Sequence, residues 1–176
     1  DKQTVSSPSL EQIWQWLEDI PDPEIPAVSV VDLGIVRSAH WEDNVLCVNI
    51  TPTYSGCPAT SVISLDIETA LLKRGVDAVK IQTVLSPAWT TRWISEGGRQ
   101  KLRKYGIVPP VEGDTCSGMI SLSGTKQANI VCPLCQSNDV ERISQFGSTP
   151  CKASYRCKSC LEPFDYFKAF RSSNVM

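Results

Sequence analysis

Four cysteines near the C-terminus stand in two matched pairs. Cys132 and Cys135 belong to Cys-Pro-Leu-Cys, Cys157 and Cys160 to Cys-Lys-Ser-Cys, and twenty-one residues separate the pairs. Two Cys-x2-Cys knuckles one short sheet apart can bring four thiolates to the corners of a tetrahedron, the coordination that structural zinc takes. Iron accepts the same four sulfurs in a rubredoxin-like or iron–sulfur site. Disulfides would need an oxidising compartment. A zinc ribbon is the first reading.

A second thiol, Cys57, stands in Thr51-Pro52-Thr53-Tyr54-Ser55-Gly56-Cys57-Pro58-Ala59. This reads as a strand end, a turn through Gly56, and a helix opening with Pro58 at its first position. Cys57 is then expected at the N-cap, where free N–H groups and the positive helix end would stabilise a thiolate and lower its pKa. Such a thiol suits nucleophilic attack or a soft metal. A small, half-buried residue that fills space is the alternative.

Asp22, Glu24 and Asp32 lie in Asp22-Pro23-Glu24-Ile25-Pro26 and Asp32-Leu33-Gly34. They either gather as a carboxylate cluster or cap turns, the usual role of Asp beside Pro and Gly. His40 is the sole histidine. A di-iron centre needs several Glu and His ligands, so His40 reads as structural or exposed. Cys47 reads as a small strand residue. Cys116 is a free thiol or a second cluster ligand. Cys151 lies between the knuckles, and a fifth zinc thiolate is not expected. The chain carries no Gly-rich phosphate loop, hydrolase elbow or dinucleotide fingerprint.

The elements that must position these groups form an α-β-β-α-β-α order, an α+β sandwich over residues 9–108. Ser9 and Gln12 form a capping box for a helix from Leu10 to about Ile20, which three prolines in the next six residues then forbid. Ile35–Trp41 and Val45–Thr51 read as a hairpin around Glu42-Asp43-Asn44, with Leu46, Val48 and Ile50 on one face. Pro58 to about Arg74 reads as a helix ended by Gly75, Val76–Leu85 as a third strand, and Arg92–Lys104 as a basic helix weakened by Gly97-Gly98. Residues 1–8 and 171–176 read as loose tails. Residues 109–129, rich in Gly, Ser and Thr, read as a flexible linker. Residues 130–170 form a mostly β zinc-ribbon domain, too small to hold itself together by burial alone. Its strands are expected at Arg142–Gly147, Ala153–Arg156 and Phe164–Phe170. Alternate aromatics there, Phe164, Tyr166, Phe167 and Phe170, would suit a protein interface where exposed.

Charge is asymmetric beneath a net of −2. Residues 1–68 hold eleven acidic residues against Lys2 and Arg37, and residues 73–104 hold eight basic residues against Asp77 and Glu96. Charge runs of this kind are normally a solvated surface, and a docking face for an acidic partner is the functional alternative. The ribbon's five basic and four acidic residues leave it near neutral, which disfavours nucleic-acid binding. No membrane span and no signal peptide is read from the sequence, so a reducing cytoplasm is the expected compartment.

Asp22-Pro23-Glu24-Ile25-Pro26, Val31-Asp32-Leu33-Gly34-Ile35-Val36, Thr51-Pro52-Thr53 and Gly56-Cys57-Pro58 together resemble the iron–sulfur cluster assembly family over residues 10–108. The ribbon, through Phe146-Gly147-Ser148-Thr149, Cys151-Lys152-Ala153 and Glu162-Pro163-Phe164-Asp165-Tyr166-Phe167-Lys168, resembles one branch of it. That branch accompanies a bacterial phenylacetate-degradation oxygenase acting on phenylacetyl-CoA. The resemblance implies a non-catalytic accessory factor in metal-centre maturation, with Cys57 as the reactive thiol, Asp32 near it, and Gly34, Thr51, Gly56 and Pro58 as the supporting loops. It implies structural zinc and a transient iron–sulfur cluster or iron. The implied partners are a di-iron oxygenase subunit, its iron–sulfur flavin reductase, or iron–sulfur carriers. One thiol cannot hold a cluster, which usually takes four, so a bridged homodimer, partner thiols or transient transfer would complete the set. A structural subunit of the oxygenase complex and a nucleic-acid-binding ribbon are the competing functions.

Overall fold

The computed structural model describes residues 7–54, 56–110 and 130–168. Residues 1–6 of the expected 1–8 tail, the expected 171–176 tail, most of the expected linker, Cys116 and Phe170 lie outside them. The chain divides into two compact units, Asp1–Trp89 and Thr90–Met176.

In the first unit, helix α1 (Leu10–Glu18) opens on the expected capping box. Gln12 N–H donates to Ser9 Oγ, and Ser9 N–H donates to Gln12 Oε1. Strands β1 (Val36–Glu42) and β2 (Val45–Ile50) pair antiparallel around Asp43-Asn44. Both turn residues have positive φ, 46° and 65°, which is the two-residue hairpin geometry that matches strand twist. Strand β3 (Val79–Thr83) pairs parallel with β2, giving the order β1-β2-β3. Parallel neighbours need a crossover, and helix α2 (Thr60–Lys73) supplies it. Ile63, Ile67 and Leu71 on α2 are buried, as are Ile13 and Leu17 on α1 and Leu46, Val48 and Ile50 on β2. The period-3.6 and period-2 patterns thus supply the apolar residues of one core.

The second unit contains the expected basic helix, starting at Glu96 rather than Arg92, and departs from expectation in its strands. Helix α3 (Glu96–Lys104) forms despite Gly97 and Gly98, because Ser95 Oγ accepts from Gly98 N–H and Lys101, Arg103 and Lys104 occupy the last turn; basic side chains there complement the helix dipole. It falls in the same compact unit as the ribbon, Thr90–Met176. The reason is an unpredicted strand, β4 (Ile107–Val108), which follows α3 and pairs parallel with β7 (Pro163–Phe167). The ribbon sheet runs β4-β7-β6-β5, with β5 at Val140–Ser144 and β6 at Lys152–Cys157. With β4 on its outer edge, β7 is an inner strand, and its aromatics are core residues rather than an exposed interface, Phe164 and Tyr166 packing with Ile130, Ala153 and Tyr155. Phe164, Tyr166 and Phe167 are all buried. Tyr155 stacks on Phe164 at 5.9 Å and meets Tyr166 edge-on at 5.8 Å.

A core test follows for α2. Ile67→Ala, at a fully buried position, should cost about 2–5 kcal/mol. Leu65→Ala, 61% exposed on the same helix, should stay within about 0.5 kcal/mol. Denaturant unfolding of the two full-length variants measures the difference.

Candidate functional site

The segment that leaves β2 must turn before entering α2, and Cys57 occupies that turn. Thr51 N–H is tied to Ile35 O at 2.8 Å, and Thr51 and Thr53 are buried. Cys57 N–H donates to Tyr54 O at 3.1 Å. Thr60 donates twice to Cys57 O, through its N–H at 3.2 Å and its hydroxyl at 2.9 Å. The helix therefore begins later than expected. Its N-cap is Ala59 and its first residue Thr60, so Pro58 is not the first helical residue and Cys57 is not the N-cap. A turn closed on Cys57 O by Thr60 precedes the helix.

The thiol's protonation also differs from expectation. Burial pushes the half-buried Cys57 above the ordinary value of 9.0, and the negative charges of Glu24 and Asp22 push the same way. The Ala59 N–H and, more weakly, the Thr60 side chain act against them, while the Thr60 hydroxyl's own hydrogen bond goes to Cys57 O. The thiol is neutral at physiological pH, and two carboxylates give its surroundings a negative potential. Sequence reasoning named both carboxylates without pairing them to Cys57, since thirty-odd residues separate them.

Those carboxylates have structural work as well. Asp22 Oδ1 accepts from Glu24 N–H at 3.0 Å and Ile25 N–H at 2.8 Å. Asp32 Oδ2 accepts from Ser29 N–H, and Ser29 Oγ accepts from Asp32 N–H, each at 3.0 Å. Turn capping is therefore what Asp22 and Asp32 do locally. Gly34 follows with φ 67°, a conformation that favours glycine. Trp89 Nε1 closes this turn by donating to Leu33 O at 2.8 Å. Gly56 is exposed beside Tyr54.

In the ribbon, the four cysteines converge as their spacing predicts. All four sulfurs lie within 4.8 Å of one another. Cys132 and Cys160 are 3.7 Å apart and Cys135 and Cys157 3.5 Å. Zinc–sulfur bonds of about 2.3 Å put the corners of a tetrahedron about 3.8 Å apart, so the donor set fits zinc. Each knuckle is followed by a residue in the left-handed region, Gln136 at φ 59° and Leu161 at φ 66°. Cys157 is lowered to about 6, chiefly because the Cys160 N–H donates to its sulfur at 3.5 Å. Against the Glu162 N–H, which favours its ionised form, burial and the neighbouring cysteine thiols push Cys160 the other way, up to about 12, so the four thiols do not ionise alike.

The remaining cysteines divide. Cys151 is buried, 3.0 Å from Thr149 Oγ1, and is not among the four clustered ligands. Cys47 lies mid-strand and buried, 3.5 Å from Glu42 Oε2, and burial with that contact raises its pKa. His40 is exposed on β1, as expected. No helix among the described residues is long and apolar enough to cross a membrane.

Two measurements test this site. Alkylation of Cys57 in the folded chain should accelerate with a midpoint above pH 9.0, because its neutral form is favoured; a midpoint near 7 would restore the N-cap reading. Cys157→Ser should abolish zinc retention and amide protection across residues 130–168 while leaving residues 7–54 protected. Metal binding supplies folding free energy on the order of 10 kcal/mol in such ribbons. Zinc content and hydrogen exchange read the result.

Residues 10–83 match the family described as Iron-sulfur cluster assembly protein, and residues 119–168 match the PaaD zinc beta ribbon domain. A protein of Escherichia coli (strain K12), provisionally named the D subunit of 1,2-phenylacetyl-CoA epoxidase, is 44% identical over 94% of this chain and 96% of its own. The Fe-S protein maturation auxiliary factor of Porphyromonas gingivalis (strain ATCC BAA-308 / W83) is 35% identical over 49% of this chain and 83% of its own. The Fe-S protein maturation auxiliary factor YitW of Bacillus subtilis (strain 168) is 31% identical over 56% and 89%. The shorter relatives match about half of this chain, whereas the E. coli match runs through both the assembly domain and the ribbon. The chain therefore belongs to the PaaD family, in which an iron–sulfur cluster assembly domain is joined to a zinc beta ribbon.

Proposed function

We propose that this protein is a non-catalytic accessory factor that helps load the iron or iron–sulfur centres of a phenylacetyl-CoA epoxidase, with Cys57 as the thiol that takes the metal in transit. The observation that carries the reading is a half-buried Cys57 in the loop between β2 and α2, whose thiol is held in the neutral form by burial and, to a lesser degree, by the charges of Glu24 and Asp22. A neutral thiol among carboxylates resists ionisation when alone and favours a cation when one arrives. On meeting ferrous iron or a cluster iron, Cys57 gives its proton to solvent and becomes the sulfur ligand. The Ala59 N–H, which already favours the ionised sulfur, then supports the thiolate. The exposed Gly56 and Pro58 leave one side of the loop open to a partner. One thiol supplies one ligand, so the others come from the client, a carrier or a second copy of this chain.

The names of the relatives support both halves of this reading: two are Fe-S maturation auxiliary factors, and one is an epoxidase subunit. The oxygenase's di-iron subunit and its iron–sulfur flavin reductase are the proposed clients. Zinc at Cys132, Cys135, Cys157 and Cys160 has the structural role of holding the ribbon folded. A purely structural subunit of the epoxidase is the second reading, favoured by the subunit name of the E. coli relative.

Cys57→Ala separates the two readings. The substitution removes one small, half-buried group, so stability should fall by no more than about 1 kcal/mol. Growth on phenylacetate and the iron content of oxygenase proteins matured beside the variant should both collapse. Normal growth with full iron loading would leave only the structural reading.

A further inference from the structure

The outer face of the first sheet carries a second group of metal-ligating side chains, unrelated to the ribbon. Alternation along β1 puts His40 and Glu42 on one face, and the register sets Cys47 of β2 directly opposite His40. One donor atom from each of the three residues lies within 4.8 Å of the others. Cys47 Sγ and Glu42 Oε2 are already 3.5 Å apart. Leu46, Val48 and Ile50 face the core from the same strand, and Cys47 lies between them in sequence on the opposite face. His40 and Glu42 are exposed, while Cys47 is 2% exposed.

We propose that His40, Glu42 and Cys47 bind one zinc-class divalent cation, with solvent completing its coordination. The ligand chemistry sets the class. A thiolate and an imidazole select a borderline ion such as zinc over magnesium or calcium, which take oxygen donors. Three protein ligands with a fourth position left to water is the arrangement of open zinc sites. Bonds of about 2.0–2.3 Å require the donors to close to roughly 3.3–3.8 Å. The Cys47–Glu42 pair already meets that range, and His40 and Glu42 are exposed enough to adjust. The tight Asp43-Asn44 turn holds the two strands in register, so ordering the ligands costs little backbone entropy. On binding, the Cys47 proton goes to solvent, and thiolate plus carboxylate neutralise the ion's two charges. Lys80, paired with Cys47 from β3, is the opposing charge near the site, and Asp43 adjoins it in the turn.

The test is a cobalt titration of the full-length chain with its ribbon zinc in place, followed by absorbance of the thiolate-to-cobalt transition and by metal content after gel filtration. One equivalent of cobalt should bind beyond the ribbon zinc. The same titration on Cys57→Ala, which removes the loop thiol from contention, should keep the signal. Cys47→Ser should abolish the thiolate transition. His40→Ala and Glu42→Gln, both at exposed positions, should each weaken binding by at least about tenfold. Circular dichroism of each variant confirms the fold. No added equivalent in the unaltered chain, or a signal lost in Cys57→Ala and kept in Cys47→Ser, would overturn the assignment.

Discussion

The parallel pairing of β2 with β3 is the constraint from which the first unit follows. A hairpin turn cannot join parallel neighbours, so the chain leaving Ile50 must travel back along the sheet before it can begin Val79. Helix α2 makes that return, and its buried Ile63, Ile67 and Leu71 place it against the core. The segment between strand and helix is therefore obligatory, and its ends are fixed by the sheet on one side and the helix on the other. Cys57 belongs to this segment. Its neighbours are set by the fold, even though the loop itself carries little of the core.

The chain uses thiols in two electrostatic settings. In the ribbon, a backbone N–H directed at Cys157 favours the ionised form, and four sulfurs together suit a resident cation. At Cys57, burial and two carboxylates favour the neutral form. The first arrangement suits a metal that stays, because four sulfurs stand together at the spacing one tetrahedral ion needs. The second suits a metal that passes, because reprotonation assists its departure. The contrast arises from which groups surround each sulfur.

Much of this was legible in the sequence where the signal is local. The capping box at Ser9 and Gln12, the α2 repeat, and the Cys-x2-Cys spacing each depend on residues within a few positions, and each led to the observed element or cluster. The failures share a different cause. The start of α2 is decided by hydrogen bonds from Thr60 to Cys57 O, which compete with the N-terminal proline signal at Pro58. The Cys57 pKa depends on Glu24 and Asp22, brought in by tertiary structure. Strand β4 is two residues long and exists only because β7 offers it an edge. Whether the aromatics of β7 would be exposed could not be read from alternation, because their burial depends on Ile130, Ala153 and Tyr155 brought against them by the fold.

The β4–β7 pairing also sets an order of events. Ile107 meets Asp165 across about two thirds of the second unit's length, whereas β5, β6 and β7 are joined by near-neighbour hairpins. Closing the longer loop costs more chain entropy and returns only two residues of pairing. The hairpins and their four-thiol cluster should thus assemble first, and β4 should dock last onto a finished edge. Until it does, β7 presents an unpaired strand to solvent, a template for another chain's backbone. A nascent ribbon of this design is most exposed to mispairing in the interval between acquiring its metal and receiving its own short strand.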